Sequence, residues 1–237
     1  MRREPDTGEP MIELSGLRKQ FGPTVAVEGA NLVVQPGEFV GLIGHNGAGK
    51  STLLKMLAGQ LLPTAGTVKI AGVDMQADPN GARGHLGFVP EEAPLWDYLS
   101  AREFLEFVIQ VRGKGDLAEA VELTGLGSDA DRLIREYSQG MRRKTALAAA
   151  LVAHPKVIVL DEALNGLDPP SAARTKQMLK QRCREGACVL FSTHIVETVE
   201  AVADRVVMMA NGRIVDDRAV ADIPEGGLER LFLGQLG

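Results

Sequence analysis

The run Gly44-His-Asn-Gly-Ala-Gly-Lys50-Ser51-Thr52 narrows what this chain can fold into more than any other stretch. It fits the spacing G-x-x-x-x-G-K-[ST], and each part has a physical purpose. Glycines at 44, 47 and 49 let successive backbone N–H groups turn toward one anion with no Cβ in the way. The apolar run Glu38-Phe-Val-Gly-Leu-Ile43 reads as a central strand entering the loop. Leu53, Leu54, Leu57 and Leu61 form the stripe of a helix over Ser51 to Leu62 leaving it. A helix start presents free N–H groups and the positive end of its dipole to phosphate. Lys50 suits the β/γ oxygens of a nucleotide, and the Ser51 hydroxyl suits Mg2+. The expected site is therefore one for a nucleoside triphosphate, built from Gly44, His45, Asn46, Gly47, Ala48, Gly49, Lys50, Ser51 and Thr52. His45 is expected to lend only its backbone N–H.

A second signal lies far along the chain. Val157-Ile-Val-Leu160 is fully apolar and ends in Asp161-Glu162. Buried strands of an open α/β sheet deliver their C-terminal ends to the ligand crevice. Asp161 is thus expected to face Mg2+, and Glu162 to orient or deprotonate the water attacking a γ-phosphate. The competing interpretation is a solvated acidic loop.

The segments around these motifs fill in a fold. Short β-rich runs occupy Met11 to Gly44, and further strands are expected at Thr67–Ile70 and Leu86–Val89. Between Glu92 and Glu136 the pattern turns helical. Ser100-Ala-Arg-Glu103 is a capping box opening a helix that Gly113 ends, and Asp116 caps a second that Gly125 stops. A small-residue helix covers Met141 to Ala153. Strands at Val157–Leu160, Ala187–Phe191 and Arg205–Met209 then alternate with helices at Ser171–Glu185 and Ile195–Ala203. Asn211-Gly212 reads as a hairpin turn. Alternation of this kind implies a largely parallel sheet covered on both faces.

Composition sets outer limits. With 237 residues, 45% hydrophobic and 24% charged, the chain can bury a core and is neither disordered nor collagen-like. No apolar run approaches the roughly 18 residues of a bilayer span. The polar start, broken by Pro5 and Pro10, lacks the apolar segment of a secretory signal. A formal charge of −5 argues against a dedicated nucleic-acid binder. Cys183 and Cys188 stand outside any CxxC pattern and are expected to be reduced thiols at a helix end and a strand start. His85 and His154 are read as structural.

Further stretches line up with a known family. Tyr137-Ser-Gln-Gly-Met-Arg-Arg-Lys144 resembles the signature loop of ATP-binding cassette ATPases, Asn165-Gly-Leu-Asp168-Pro169 their D-loop, and Ser192-Thr-His194 their switch histidine. Gly87-Phe-Val-Pro90-Glu91 sits at their Q-loop, and Phe21 where the family keeps an aromatic to stack on adenine. The chain thus resembles the nucleotide-binding subunit of an ABC transporter. The resemblance implies an α/β fold of the P-loop NTPase type, with a largely parallel sheet, an N-terminal antiparallel β part and an inserted helical lobe. It divides the chain into a tail (1–10), an ATPase domain (11–216, lobe about 92–153) and a C-terminal extension (217–237). It also implies ATP and Mg2+ as cofactors, Glu162, His194 and Glu91 as catalytic residues, and Ser51, Asp161 and Glu91 near the metal. Ser138, Gln139 and Gly140 would cover the γ-phosphate of a partner subunit, with Asp168 in the D-loop; Ser138 and Gly140 can equally just cap the helix near Met141.

Departures from the family pattern are Glu91 for the usual glutamine, Gln139 and Met141 in the signature, and Ala163-Leu164 after Glu162. The Pro-Glu-Glu Q-loop and Tyr-Ser signature start are similar to bacterial exporter-type subunits. Such a subunit would act with a separate integral membrane permease, as a homodimer or heterodimer, at the cytoplasmic face of the cell membrane. Alternatives are a soluble ATPase of the superfamily with a non-membrane partner, a small-molecule P-loop kinase, and a regulatory module without turnover. The kinase reading leaves Ser138, Gly140 and His194 without a task, and Glu162 opposes the last.

Overall fold

The structure, a computed structural model, describes residues 8–224 and 226–234. Residues 1–7 of the expected tail, and 225 and 235–237 of the expected extension, lie outside the described residues.

The chain begins with two long paired strands, β1 (Ile12–Phe21) and β2 (Thr24–Val34), joined at Gly22. The short runs expected here are parts of these. Register shifts interrupt their ladder, and Gly16 (φ 58°) and Gly29 (φ 65°) take the left-handed backbone found at such bulges. Next come β3 (Phe39–Ile43), α1 (Lys50–Leu57), β4 (Ala65–Ile70), β5 (Val73–Asp74), α2 (Pro79–Gly84) and β6 (Leu86–Val89). Helix α1 stops a turn before the expected Leu62, because Gly59 turns left-handed (φ 66°) and both Gln60 and Leu61 donate to the Lys55 carbonyl. Neither β5 nor α2 was expected. Proline at the first position of α2 and the Asp78 side chain accepting from Gly81 N–H start that helix.

The helical segment holds α3 (Ala101–Arg112), α4 (Leu117–Thr124) and α5 (Gln139–Leu151). The capping box at Ser100 and Glu103 forms in full, and Gly113 and Gly125 end their helices left-handed. The rest is β7 (Val157–Asp161), α6 (Pro169–Arg184), β8 (Cys188–Thr193), α7 (Val196–Val202), β9 (Arg205–Ala210), β10 (Arg213–Ala219) and α8 (Gly227–Gly234). Asn211 and Gly212 both have positive φ, as a type I′ turn requires. Strand β10 runs past residue 216.

Two sheets result. One is antiparallel, ordered β2-β1-β4-β5; the other is ordered β10-β9-β3-β8-β7-β6, parallel except for β10. Strands β3, β7 and β8 are buried along their whole length, so alternate residues feed two cores. Ile43, Ile158, Leu160, Val189 and Phe191 pack toward the helical lobe, α6 and α7. Leu42, Val157, Val159, Leu190 and Val207 pack toward α1 and the antiparallel sheet. Cys183 and Cys188 are free and buried; burial pushes the Cys183 thiol up to about 12 and raises that of Cys188 as well, so both stay protonated. Among the described residues, no helix is long and apolar enough to cross a membrane. The C-terminal ends of β3, β7 and β8 come out together, and the candidate site lies there.

Candidate nucleotide site

Strand β3 delivers the 44–49 loop, and the reasons for its glycines are partly different from those expected. A Cβ on Gly44 would stand 2.4 Å from the Met209 carbonyl oxygen, and one on Gly49 would stand 2.5 Å from that of Ala26. Glycine at these positions is demanded by the backbones of β9 and β2 pressing on the loop. Gly47 (φ 82°) has open space around it and needs glycine for its backbone angle alone. Ala48 is buried, its carbonyl accepting from Gly212, and the His45 ring contacts the Asn46 carbonyl at 2.7 Å. Thr52 follows in the first turn of α1, half-buried. No side chain caps α1.

Lys50 is almost fully buried, with Nζ donating to the carbonyls of Gly44 (2.7 Å) and His45 (3.3 Å). Burial holds its ammonium below the usual lysine range, and the carboxylates of Glu162, Asp161 and Glu91 oppose that shift. Across the crevice Asp161 ends β7 with no exposure at all. Its Oδ1 accepts from the Ser51 hydroxyl (3.1 Å) and from the Ser192 hydroxyl (2.7 Å). Its Oδ2 is buried without a hydrogen-bond partner. A buried carboxylate oxygen left unpaired is costly, which makes this atom a ready ligand for a cation. Ser51 and Asp161 are hard oxygen donors of the kind Mg2+ takes, two protein ligands with the rest from phosphate and water. Among the described residues there is no competing cluster of three His, Cys, Asp or Glu side chains. The residues present therefore fit an Mg2+–nucleotide.

Glu162 leaves β7 in the left-handed region (φ 52°), a backbone that costs a non-glycine residue about 1–2 kcal/mol. The Ser192 hydroxyl accepts from Glu162 N–H at 2.9 Å and so holds the bend. The Glu162 carboxylate accepts from the Asn165 side-chain amide and lies 3.2 Å from His194 Nδ1. A cleft of 470 Å3 is lined by Asn46, Gly47, Lys50, Ser51, Glu91, Glu162 and His194, together with Arg143 and Asn165. Arg143 and Asn165 lie within quoted motifs but had no role assigned to them. Arg143 donates from α5 to the Asn165 carbonyl, linking the helical lobe to the loop that touches Glu162. Ser192 was also without a role. Its signal was a polar residue ending an apolar strand, but its parallel pairing with Asp161 is a matter of register.

The remaining expected residues lie elsewhere. Phe21 ends β1; its ring is half exposed, with the Lys19 ammonium 5.0 Å from the centroid. Ser138 caps α5 by accepting from Met141 N–H (3.2 Å). Gly140 lies in the first turn of α5 beside Gly166, and Gln139 lines a separate cleft with Glu91, Glu92 and Arg142. Asp168 caps α6 through Ser171 N–H (2.9 Å) and pairs with Lys144 at 3.1 Å. Those hydrogen bonds hold its carboxyl well below the usual range. Ser138, Gln139, Gly140 and Asp168 are absent from the lining of the phosphate cleft of their own chain.

Comparison with known proteins agrees with this geometry. A family model described as ABC transporter matches residues 27–165. The chain is 32% identical over 219 residues to the bacitracin transport ATP-binding protein BcrA of Enterococcus faecalis, covering 91% of this chain and 71% of that one. It is 34% identical over 218 residues to the daunorubicin/doxorubicin resistance ATP-binding protein DrrA of Streptomyces peucetius, covering 90% of this chain but just under two thirds, 66%, of that one. A solved structure of an ATP-binding subunit of an ABC transporter superposes with a TM-score of 0.89 at 27% identity, covering 96% of this chain and 100% of that one. The chain belongs to the ABC transporter family, as one of its Mg2+-dependent ATP-binding and hydrolysing cassettes.

Proposed function

We propose that this chain hydrolyses ATP to drive export of a substrate through a separate integral membrane permease, at the cytoplasmic face of the cell membrane. The observation that carries the ATPase reading is the buried Asp161, bonded to Ser51 and left with one orphan oxygen beside the phosphate loop. Lys50, already buried among carbonyls, would exchange them for β/γ oxygens. Ser51 and Asp161 would hold Mg2+, which supplies neutralisation of phosphate charge when bound. Glu162 would take a proton from the attacking water at Oε2, with Asn165 and His194 fixing that atom's position. Glu91 lines the same cleft. Phe21 would stack on adenine. The ATPase unit would span residues 11–216 with its lobe at about 92–153, between a tail and a C-terminal extension.

The names of the two relatives, one for bacitracin transport and one for drug resistance, support an export role. A dimer follows from what one chain leaves uncovered. Ser138 and Gly140 stand at the exposed start of α5, away from their own phosphate cleft, so the N–H groups there are suited to an anion held by a second copy or a related chain. A short cytoplasmic helix of the membrane permease would dock where Ala93, Pro94 and Leu95 meet Phe104, Phe107 and Val108 around a groove of 300 Å3. Trp96 does two jobs here: it is half exposed, yet its ring packs on Phe104 and, at 4.5 Å, on Phe107. Tyr98 is largely exposed and outside the groove lining. The test is phosphate release by the purified chain without an acceptor, then its stimulation on reconstitution with the permease in vesicles. Release only onto a small-molecule acceptor would indicate a kinase. Hydrolysis untouched by any membrane protein would indicate a soluble ATPase.

A further inference from the structure

Near its start α5 carries two adjacent arginines with different partners. About 100° separates neighbouring side chains around a helix, so the two face different surroundings. Arg142 stays within the helical lobe, pairing with Asp97 at 2.7 Å and donating to the Ile134 carbonyl. Arg143 leaves it. Its guanidinium donates to the Asn165 carbonyl, lies 3.5 Å from the Glu91 carbonyl and forms part of the wall of the phosphate cleft. Among the described residues, the bond to Asn165 is the only hydrogen bond from the lobe to residues 162–166.

What Arg143 grips is the loop that carries Glu162. Ala163 and Leu164 are buried in the core and anchor its inner side. Asn165 and Gly166 form its outer turn, with Gly166 left-handed (φ 71°), and a Cβ there would stand 3.1 Å from Arg143 Nη1. The Asn165 side chain is committed on both sides. Its oxygen accepts from the buried Thr193 hydroxyl (3.4 Å), and its amide donates to Glu162 Oε2. A shift of the Asn165 backbone therefore moves the donor that fixes Glu162 Oε2. Helix α5 itself does not call for a cation here, since the helix dipole disfavours positive charge near an N-terminus. A planar guanidinium can serve two carbonyls in one fixed geometry, which an ammonium on a flexible stem does not.

We infer that Arg143 is a positioning residue for hydrolysis: it clamps the Asn165-Gly166 turn between α5 and the Glu91 backbone, and through the Asn165 amide it holds Glu162 Oε2 toward the attacking water. The inference rests on the reading of Glu162 as the base. The place of its carboxylate is then set by the helical lobe as well as by β7 and β8. Losing the clamp leaves ATP on Lys50 and Ser51 but leaves Glu162 without its orienting partner. Such accuracy matters, because a misplacement of about 1 Å can cost on the order of 10²-fold in rate.

The test measures phosphate release and equilibrium ATP binding separately on the full chain. Arg143→Ala should lower kcat about tenfold, the size of one lost hydrogen bond to a charged group, with ATP affinity within about twofold of the parent. Guanidinium ion, far below denaturing concentrations, should restore part of that turnover, and methylammonium should not. Asn165→Ala should be slow as well and unresponsive to guanidinium. The double variant should be no slower than Asn165→Ala, because the two residues act in series. Arg143→Lys keeps the stem and the charge, and so the fold, yet should stay nearly as slow as Arg143→Ala. Parent turnover in Arg143→Lys, or losses that multiply in the double variant, would overturn the inference. So would an ATP affinity that falls along with kcat, which would make Arg143 a nucleotide contact. A lowered melting temperature in Arg143→Ala with no revival by guanidinium would reduce it to a structural residue. Turnover lost in Glu162→Gln but kept in Arg143→Ala sinks the clamp alone, whereas turnover kept in Glu162→Gln sinks the base reading beneath it.

Discussion

Helices α1 and α5 begin alike and are finished differently. Neither has an acidic residue in its first turn, and both carry cations there, although the helix dipole disfavours positive charge at that end. At α5 the mismatch is settled within the chain. Ser138 caps the helix, Arg142 pairs with Asp97 at 2.7 Å, and Lys144 pairs with Asp168. At α1 it is not. Gly49 provides no cap, Lys50 is buried against carbonyls alone, and the nearest buried carboxylate keeps an oxygen unpaired. A helix start that is incomplete and buried is built around a ligand; one that is complete and exposed is a surface that can be offered to another chain.

The contrast can be broken at several points. The largest expected effect is at the acid serving the α1 end. Glu162→Gln should lower turnover about 10²–10⁴-fold, the range for losing a general base, with ATP affinity retained. Near-normal phosphate release at saturating ATP and Mg2+ would remove Glu162 from the mechanism. Next is Lys50→Met, which should weaken ATP binding about 10–100-fold by deleting a charged hydrogen-bond donor. Without nucleotide, the same variant should melt no lower than the parent, because burial of the Lys50 ammonium outweighs the pull of the nearby carboxylates and its hydrogen bonds go only to carbonyls. A clear drop in the ligand-free melting temperature would mean that α1 is complete by itself.

Smaller effects sharpen the picture. Ser192→Ala removes the hydroxyl that holds both Asp161 and the Glu162 backbone, so turnover should fall about tenfold with ATP affinity little changed. An equal loss of kcat and of affinity would show that it merely supports the loop. At the α5 end Ser138→Ala should cost about 1 kcal/mol of stability, the usual worth of a cap, as read by chemical denaturation. In the Glu162→Gln background, Ser138→Arg should abolish an ATP-dependent dimer on size exclusion while the monomer still binds ATP. Weakened ATP binding by that monomer would place α5 against its own nucleotide and erase the distinction between the two ends.

Much of this was legible in the chain because it depends on neighbours in sequence. The caps at Ser100, Asp116 and Ser138 formed as expected, since a cap needs only the right side chain two or three residues before a free N–H. Strand β6 and the Asn211-Gly212 turn appeared where expected, because apolar runs and positive-φ residues carry their own signal. Helix α1 was overextended because the leucine period continues through Leu61, while the competing turn at Gly59 is settled by hydrogen bonds to Lys55. The short pair β5 and α2 escaped notice because two paired residues and one helical turn carry almost no periodicity.

The sequence by itself determined the phosphate loop, the one buried acid-ended strand of the crevice, the lobe's capped helices and the family. Those follow from residue types at fixed short spacings, which the backbone converts directly into N–H directions and buried faces. Only the tertiary structure decided why Gly44 and Gly49 must be glycine, since the atoms that exclude a Cβ come from Met209 and Ala26. It also decided that Ser192 serves both Asp161 and Glu162 and that Arg143 reaches the Asn165 loop. Each of these joins residues 20 or more positions apart. Such neighbours are set by strand register and helix packing, which depend on the whole core and leave no local trace in the order of the residues.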